Sequence, residues 1–486
     1  MIGWNGSCGG LFAFYDHRLM KIFQSARFLP AILPLVMLSS ARAAKPNIIM
    51  IMADDMGYET VGANGSDDYK TPHIDAMAKR GMRFTNAFAN PICTPSRVKL
   101  MTGKANVRNY TFFGKLDRGQ KTVGNYFRDA GYKTCISGKW QLGEKTDAPS
   151  HFGFDQSCLW QLKRGNSHTI DGKKYDSRHT SPDLSINGVK KEFRNGEFGP
   201  DVCVDFIEKF LEANKEDQFF VYYPMILPHC PFVPTPGTPD YDPKSPGSPT
   251  YKGDAKYFKN MVAHVDQLVG RIVSKVDELG LSENTLIVFT GDNGTDSPVV
   301  TSLNGKPIAG GKGKADHDSG VRTPFFAAMP GTVQAGEVSH ELVDFSDLLP
   351  TFCELAKIDT SVDKNLDGVS LLPTLTGNGE RKKPWSYLFY SRNDATQSAS
   401  SVVVRNATHL VYRKGGPGKK IQFFDCSVPY ARKLQKQADL GEDARKVYAE
   451  LAEVVERYDG QYQSDLSEAA VKEWQKKIKG GKKKKK

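Results

Sequence analysis

The run NIIMIMA at Asn47–Ala53, followed directly by Asp54 and Asp55, decides the fold class of this 486-residue chain. After its first residue the run is continuously apolar rather than alternating, which is typical of a strand buried on both faces of a parallel sheet. Similar short runs recur further along the chain at Tyr132–Ile136, Phe219–Pro224 and Leu286–Thr290. The sequence therefore predicts an α/β protein.

Helical patterns separate these apolar runs. Pro72–Arg80 begins with a proline in its first turn and stops at Gly81. Pro200–Ala213 and Ala255–Leu279 each carry an apolar stripe at helical spacing. Strand, helix and strand joined by long connections predict a large, doubly wound, mostly parallel sheet flanked by helices, which we assign to residues 45–380.

The pattern changes after about residue 380. Short alternating segments at Tyr387–Ser391, Val402–Arg413 and Ile421–Phe424 precede one amphipathic helix at Ala444–Tyr458. Residues 381–474 are therefore predicted to form a small antiparallel sheet with one helix. We expect the lysine-rich tail, residues 475–486, to be disordered; weak attachment to a polyanionic glycan or to anionic lipid headgroups is the alternative.

Composition and charge exclude several classes of protein. Hydrophobic residues make up 39% of the chain and charged residues 25%, which excludes a disordered or fibrous protein. The mean hydropathy of −0.46 excludes a polytopic membrane protein. The net charge of +11 comes entirely from residues 1–44 and the lysine tail. Residues 45–474 therefore have no net charge, and their electrostatics give no indication of nucleic-acid binding.

The N-terminus has the pattern of an export signal. Met20-Lys21 is followed by the apolar stretch Phe28–Leu38 and by small residues at Ala41 and Ala43. We interpret residues 1–44 as a signal peptide region with its start at Met20; an uncleaved anchor is the alternative. The mature protein is then exported, periplasmic or secreted, with no transmembrane span.

Cysteine usage excludes some metal and redox sites. The chain has eight cysteines, of which an odd number remain after the signal region, and none forms a CxxC pair. Zinc-ribbon and thioredoxin-like sites are therefore unsupported. At least one cysteine of the mature chain must do something other than pair internally.

Acidic side chains follow two of the predicted strands. Asp54 and Asp55 come after the first strand, and Asp292 and Asn293 come just after Leu286–Thr290. Ligand sites in doubly wound sheets form at the carboxyl ends of strands, and oxygen donors suit calcium or magnesium better than zinc. Each cluster alone could instead cap a turn or a helix.

Cys93 stands where a helix begins. Pro95 has its φ preset for a first helical turn, so Cys93 is expected at or just before a helix N-terminus, with Arg97 one turn along. Unpaired N–H groups and the helix dipole favour an anion there. A nucleophile at this position would face an anion-binding surface; a disulfide partner or a buried small residue is the alternative.

The run Cys93-Thr94-Pro95-Ser96-Arg97 resembles the C-x-P-x-R signature of type I sulfatases, whose cysteine is oxidised to formylglycine (3-oxoalanine). Further stretches match in family order: Lys45–Gly57, Thr71–Asp75, Gly81–Asn86, Gly138–Trp140, Pro228–Pro231, Thr290–Gly294, Gly311–Gly313 and Gly320–Pro324. An ordered set of motifs is far more specific than a lone signature. The resemblance covers roughly residues 45–375 and implies an alkaline-phosphatase-like fold and a sulfuric ester hydrolase.

The resemblance also implies roles for individual residues. One Ca²⁺ per active site would be bound by four side chains together with an oxygen of the converted Cys93: Asp54, Asp55, Asp292 and Asn293. Arg97 would orient the formylglycine hydrate, and His229 would protonate the leaving alcohol. Lys139 and Lys312 would grip the sulfate, with Lys314 as an alternative to Lys312. The modification implies a formylglycine-generating or maturase enzyme as a partner.

Gln141 departs from the family pattern, which usually has histidine at this position. That histidine is associated with deprotonating the remaining hydroxyl so that sulfate is expelled. The glutamine amide can form hydrogen bonds but cannot take up a proton at neutral pH. Either another base serves, with His317 and His73 as candidates, or release proceeds with weaker assistance. Gln141 and His317 are kept as candidate substrate-binding residues.

A sulfated carbohydrate is the expected substrate, because export and large loops such as Gly165–Glu197 suit a glycan cleft. Two other functions stay open. One is a phosphodiesterase or phosphonate-ester hydrolase on the same scaffold. The other is a non-catalytic sulfoglycan-binding protein, which only Gln141 supports, because Asp54, Cys93 and Arg97 are all present.

Overall fold

The computed structural model describes residues 45–162, 167–379, 381, 383–391 and 396–483. Its strands are β1 Asn47–Ala53, β2 Met82–Phe88, β3 Lys133–Lys139, β4 Gln156–Trp160, β5 Ser167–Ile170, β6 Lys173–Asp176, β7 Asp183–Ile186, β8 Val189–Glu192, β9 Phe219–Pro224, β10 Thr285–Gly291, β11 Val300–Leu303, β12 Lys306–Ala309, β13 Arg322–Ala328, β14 Glu337–Asp344, β15 Ser386–Tyr390, β16 Ser401–Arg405, β17 His409–Lys414, β18 Ile421–Asp425 and β19 Lys433–Gln435. Its α-helices are α1 Pro72–Arg80, α2 Cys93–Thr102, α3 Asn106–Asn109, α4 Val123–Asp129, α5 Ala148–His151, α6 Gly199–Ala213, α7 Phe258–Glu278, α8 Asp318–Val321, α9 Leu348–Leu355, α10 Leu372–Thr376, α11 Glu442–Asp459 and α12 Glu468–Lys483.

Ten strands form the main sheet, in the order β14-β2-β13-β10-β1-β9-β3-β4-β7-β8. The five central strands, β10 to β4 in this order, are mutually parallel. The flanking strands β13 and β7 pair antiparallel with them. The predicted large, mostly parallel sheet is confirmed, and helices cover it on both faces.

Strand β1 shows why the apolar run does not alternate. Ile48, Met50 and Met52 point into the core on one side of the sheet, with residues of α2, α4 and α9. Ile49 and Ile51 point into the opposite core, with residues of α1, α6 and α7. All five side chains are fully buried, and each stabilises the fold by about 2 kcal/mol. Both faces must therefore be apolar.

The segment predicted as a large loop, Gly165–Glu197, contains two β-hairpins among its described residues. Strands β5 and β6 pair around Asp171-Gly172, and strands β7 and β8 pair around Asn187-Gly188. All four turn residues have positive φ, which Asp-Gly and Asn-Gly sequences favour in two-residue hairpin turns. This turn signal was present in the sequence and was missed.

The C-terminal part is an antiparallel meander, β15-β16-β17-β18-β19, packed against α11, as predicted. A second helix, α12, corrects the prediction of one helix and of a disordered tail, because it continues to Lys483. Apolar contacts order it: Ala470 is buried and the Trp474 ring packs on Tyr462. The two sheets belong to one compact unit.

The predicted signal peptide region, residues 1–44, lies outside the described residues. Among the residues that are described, no helix combines the length and apolarity needed to span a bilayer.

Candidate active site

The carboxyl ends of adjacent parallel strands bring the predicted acidic clusters together. Ala53, the last residue of β1, pairs with Gly291, the last residue of β10, so the residues that follow both strands are neighbours. The backbone N–H of Asp55 donates to Asp292 Oδ1 at 3.0 Å, although 237 positions separate the two residues. A polar site therefore forms at the edge of the sheet, as the sequence predicts.

Cys93 is the first residue of α2 and is 1% exposed. Its Sγ lies 3.4 Å from Asp54 Oδ1 and 3.2 Å from Lys139 Nζ. Burial, together with Asp292 and Asp54, raises the pKa of the Cys93 thiol well above its ordinary value. An unmodified thiol here stays protonated and is a poor nucleophile, although the helix N-terminus would favour an anion.

Arg97 ties the helix of Cys93 to two strand ends. Its Nη1 donates to the Lys139 carbonyl at 3.1 Å and its Nη2 donates to Asp292 Oδ2 at 2.9 Å. Burial alone would lower the pKa of Arg97, but Asp292 and Asp54 raise it above its ordinary value. The guanidinium is therefore a permanent buried cation beside Cys93.

The cluster includes two carboxylates, the oxygen donors that bind a hard divalent cation. One ligand atom from each of Asp54, Asp55, Cys93 and His229 lies within 4.8 Å of the others. Burial and Asp292 raise the pKa of Asp54, and burial raises the pKa of Asp55. A bound cation would relieve this crowding of carboxylates.

Two further observations fit an ion at this place. Among the described residues, the buried Oδ1 of Asn293 has no hydrogen-bond partner, while its Nδ2 donates to Asp55 Oδ1 at 2.8 Å. Asp55 itself has φ of 64°, an unfavourable backbone for a residue other than glycine, and such strain clusters at functional sites. The mainly oxygen donor set fits calcium.

Two lysines contact the two carboxylates that follow β1. Lys139 Nζ lies 2.5 Å from Asp54 Oδ2, and Lys312 Nζ lies 2.5 Å from Asp55 Oδ2. Burial alone would lower the pKa of Lys312, but Asp55 and Cys93 raise it well above its ordinary value. Lys314 lines the cleft from an exposed position. The geometry therefore favours Lys312 as the second lysine.

His229 closes the cluster on the β9 side. Its Nε2 lies 3.6 Å from Asp55 Oδ2, while its Nδ1 lies 2.9 Å from Arg178 Nη1. Burial, Lys312 and Lys139 lower the pKa of His229 well below its ordinary value, so the ring is neutral at neutral pH in these surroundings. Arg178 and the Cys230 carbonyl, which lies 2.5 Å from Nδ1, both contact this side of the ring and leave Nε2 towards Asp55.

The three candidates connected with the missing histidine separate in the structure. Gln141 is buried in the wall of the cleft, and its Oε1 accepts a hydrogen bond from Thr94 Oγ1 at 3.1 Å. His317 does not line this cleft: it pairs with Asp316 at 3.1 Å in a neighbouring cavity of about 190 Å³. His73 lies in the first turn of α1 against Gly270. The structure therefore brings only Gln141 to Cys93.

Above the cluster opens a cleft of about 910 Å³, with Cys93 at its floor. Several of its lining residues belong to no recognised motif: Phe113, Trp160, Gln161, Arg178, Tyr251, Lys252, Tyr390 and Lys477. They end or follow strands, lie in loops or, in the case of Lys477, lie on α12. No periodic pattern in the sequence indicates such positions.

A sulfatase family profile matches residues 46–358, about two thirds of the chain, and a profile for the C-terminal region of N-sulphoglucosamine sulphohydrolase matches residues 314–414. The chain belongs to the sulfatase family. Human arylsulfatase A is 32% identical to it over 386 residues, covering 72% of this chain and 71% of that protein. The N-acetylgalactosamine-6-sulfatase of Mus musculus is 28% identical over 398 residues, covering 75% and 72%.

The fold of this sulfatase has a close counterpart among solved structures. The crystal structure of Ps i-CgsB in complex with k-i-k-neocarrahexaose superposes with a TM-score of 0.66 at 24% identity, covering 89% of the sulfatase and 98% of that chain. This likeness shows the alkaline-phosphatase-like fold. The sulfatase is a sulfuric ester hydrolase, as the motifs predict.

Proposed function

We propose that this sulfatase removes sulfate from a sulfated carbohydrate, using formylglycine formed at Cys93 and a calcium ion. The observation that carries the proposal is the position of Cys93, at a helix N-terminus within a buried carboxylate cluster on the floor of the large cleft. A cleft of about 910 Å³ has room for a sugar ring beside the sulfate. The sugar in the name of the murine relative supports a carbohydrate substrate.

The chemistry of position 93 supports conversion to formylglycine. A buried, protonated thiol is a weak nucleophile, whereas the hydrate of formylglycine supplies a hydroxyl nucleophile in its place. Because Cys93 is 1% exposed, a formylglycine-generating or maturase enzyme would have to reach it before the chain folds. Conversion also replaces the soft sulfur donor by oxygen, which calcium prefers.

Four side chains would hold the ion: Asp54, Asp55, Asp292 and Asn293. When bound, calcium supplies positive charge that polarises the oxygens at the reacting centre. Lys139 and Lys312 would bind the sulfate oxygens. Arg97 would fix the position of the nucleophile relative to Asp292. These fixed cations stabilise the negative charge that develops during transfer.

His229 would assist departure of the sugar. Its Nε2 faces the cluster, and the negative charge of a bound sulfate ester would offset the effect of Lys139 and Lys312 on its pKa. The ring can then donate a proton to the leaving oxygen. Gln141 can only hydrogen-bond, so we expect sulfate release to proceed with weaker assistance than in relatives with histidine at this position.

The test combines mass spectrometry with parallel assays. The peptide that spans residues 90–97 should carry formylglycine in active protein. The converted protein should hydrolyse 4-nitrophenyl sulfate and at least one of a panel of sulfated monosaccharides that includes N-acetylgalactosamine 6-sulfate. Cys93→Ala should be inactive on both.

Each rival function has its own outcome in these assays. Preferential hydrolysis of bis(4-nitrophenyl) phosphate or of a phosphonate monoester would support the phosphorus-ester rival. Glycan binding that survives Cys93→Ala, without turnover by converted wild type, would support a binding protein. An unmodified thiol in active protein would overturn the proposed chemistry.

The proposed location is outside the cytoplasm, in the periplasm or the medium. The signal pattern of residues 1–44 supports it. Fractionation of the native host, followed by N-terminal sequencing of the mature protein, would test both export and cleavage near Ala43. Retention of the complete N-terminus in the cytoplasmic fraction would contradict this proposal.

A further inference from the structure

One wall of the cleft has the chemistry of a sugar subsite. We call it the aromatic wall and define it as Trp160, Gln161, Arg178 and Tyr251, all of which line the cleft that contains Cys93. Trp160 ends β4 and pairs with Lys139, the last residue of β3. The wall is therefore one strand away from a lysine that binds sulfate in the proposed function.

Arg178 makes these residues one surface. Its guanidinium carbon lies 5.0 Å from the centre of the Trp160 ring and 5.5 Å from that of Tyr251, within range of cation–π contacts. Its Nη1 also lies 2.9 Å from His229 Nδ1. The wall is thus continuous with the residue proposed to protonate the leaving oxygen, so it lies on the leaving-group side.

The wall holds two buried polar atoms without partners. Trp160 is 5% exposed, and among the described residues neither its Nε1 nor the Oε1 of Gln161 has a hydrogen-bond partner. An unpartnered buried donor or acceptor destabilises the fold, so both atoms would gain from a hydrogen bond to a ligand. A donor and an acceptor on consecutive residues of the cleft lining suit a hydroxyl or an acetamido group, each of which both donates and accepts.

Tyr251 adds an open aromatic face. It is 60% exposed, unusually so for a large aromatic side chain inside a cleft. The apolar C–H face of a pyranose can pack on such a ring and bury its area. Donor, acceptor and ring together match a sugar rather than a flat aryl group, which offers no hydroxyl to the first two.

Two cations at the wall, Arg178 and Lys252, are already paired with acidic side chains. Arg178 is bound by Asp176 through two hydrogen bonds, from Nε at 2.9 Å and from Nη2 at 2.5 Å. The neighbouring Lys252 pairs with Asp296. A second anionic group on the sugar would therefore meet, in Arg178 and Lys252, cations that already have acidic partners, and it would face the unpartnered Gln161 oxygen, an acceptor that repels anions.

We propose that the aromatic wall is the subsite for the sugar that carries the scissile sulfate, and that this sugar is a neutral pyranose with a hydroxyl or acetamido group next to the ester, not a uronic acid. This proposal rests on the proposed sulfatase function and deepens it. It assigns Trp160, Gln161 and Tyr251 as specificity-determining residues.

The test compares substrates within each variant. The ratio of kcat/KM on the best neutral sulfated monosaccharide to kcat/KM on 4-nitrophenyl sulfate should fall about tenfold in Trp160→Phe, which keeps a ring but removes the N–H donor. Tyr251→Ala should raise KM for the sugar more than it lowers kcat, because stacking is present before and during reaction. Tyr251→Phe should restore the wild-type value.

Tyr175→Ala is the matched control, because Tyr175 lies on the β5–β6 hairpin and does not line the cleft. It should leave both rates unchanged. Should Trp160→Phe fail to fold, the exposed Tyr251 still provides the test.

Four outcomes would contradict the subsite or the function on which it rests. Unchanged ratios in Trp160→Phe and Tyr251→Ala would overturn the subsite, as would wild-type preference for a sulfated uronic acid. Wild-type activity on the aryl ester but on no sulfated monosaccharide of the panel would also overturn it while leaving sulfatase chemistry intact. Wild-type inactivity on every sulfate ester, with conversion verified, would instead refute the proposed function itself.

Discussion

Arg97 Nη2 lies 2.9 Å from Asp292 Oδ2, and neither side chain is more than 1% exposed. This ion pair joins the helix that begins at Cys93 to the carboxyl end of β10, across 195 positions of sequence. Arg97 also donates to the Lys139 carbonyl, so one guanidinium positions three parts of the candidate site.

Replacing Arg97 by lysine keeps the charge, but a single ammonium group cannot reproduce the two hydrogen bonds that the planar guanidinium donates through Nη1 and Nη2. We expect Arg97→Lys to lower kcat on 4-nitrophenyl sulfate by about 10²- to 10³-fold. Mass spectrometry of residues 90–97 must accompany the assay, so that lost conversion is not mistaken for lost catalysis. The exposed Arg457→Lys is the control, and wild-type turnover by converted Arg97→Lys would contradict the assignment.

Asn293 should contribute an oxygen to the calcium ion. Asn293→Ala removes the unpartnered Oδ1, and we expect the affinity for Ca²⁺ to fall at least about tenfold. The measurement is calcium titration by calorimetry, together with the rise in Tm that a ligand of the native state produces. Asn378→Ala, on an exposed turn, should titrate like wild type. Equal calcium affinity in Asn293→Ala would remove Asn293 from the ligand set.

Lys312 and Lys314 should differ in their importance. Lys312 contacts Asp55 within the cluster, whereas Lys314 is exposed at the margin of the cleft. Lys312→Ala should therefore lower kcat/KM on 4-nitrophenyl sulfate by at least about 100-fold, and Lys314→Ala by less than tenfold. The reverse order would make Lys314 the second sulfate-binding lysine.

Asp318 should make stability depend on acid pH. Its Oδ1 accepts from Arg405 Nη1 at 2.7 Å, and its Oδ2 accepts from Arg322 Nη1 at 3.1 Å. Burial alone would raise the pKa of Asp318, but the two arginines lower it to about 2, from 3.8 for a free aspartate. This stabilisation is complete above about pH 4 and is lost as the pH falls towards 2.

Between pH 5 and pH 2 the free energy of unfolding of Asp318→Asn should therefore fall by about 2 kcal/mol less than that of wild type. The variant should also be about 3–5 kcal/mol less stable at pH 7, because Arg405 is left buried without its partner. Urea unfolding across this pH range measures both effects, with the exposed Asp171→Asn as control. Parallel pH profiles for wild type and Asp318→Asn would rule out this linkage.

The central strands and the catalytic motifs could be predicted because their signals are local. A strand buried on both faces must be apolar throughout, which is why β1 and β9 begin and end where the sequence predicts. Proline and glycine mark the ends of α1 for equally local reasons. The prediction that the lysine-rich tail is disordered was wrong because it relied on the lysine content alone. It overlooked Trp474, whose ring packs on Tyr462 and holds α12 in place.

By itself the sequence determined the fold class, the family and the side chains at the strand ends, since these depend on residue type and on spacing along the chain. Only the tertiary structure decided that Lys312 rather than Lys314 contacts Asp55, and that His317 lies away from Cys93. It alone assembled Trp160, Arg178 and Tyr251 into one wall. Such contacts join segments that the folding of the sheet brings together, and no pattern of neighbouring residues encodes them.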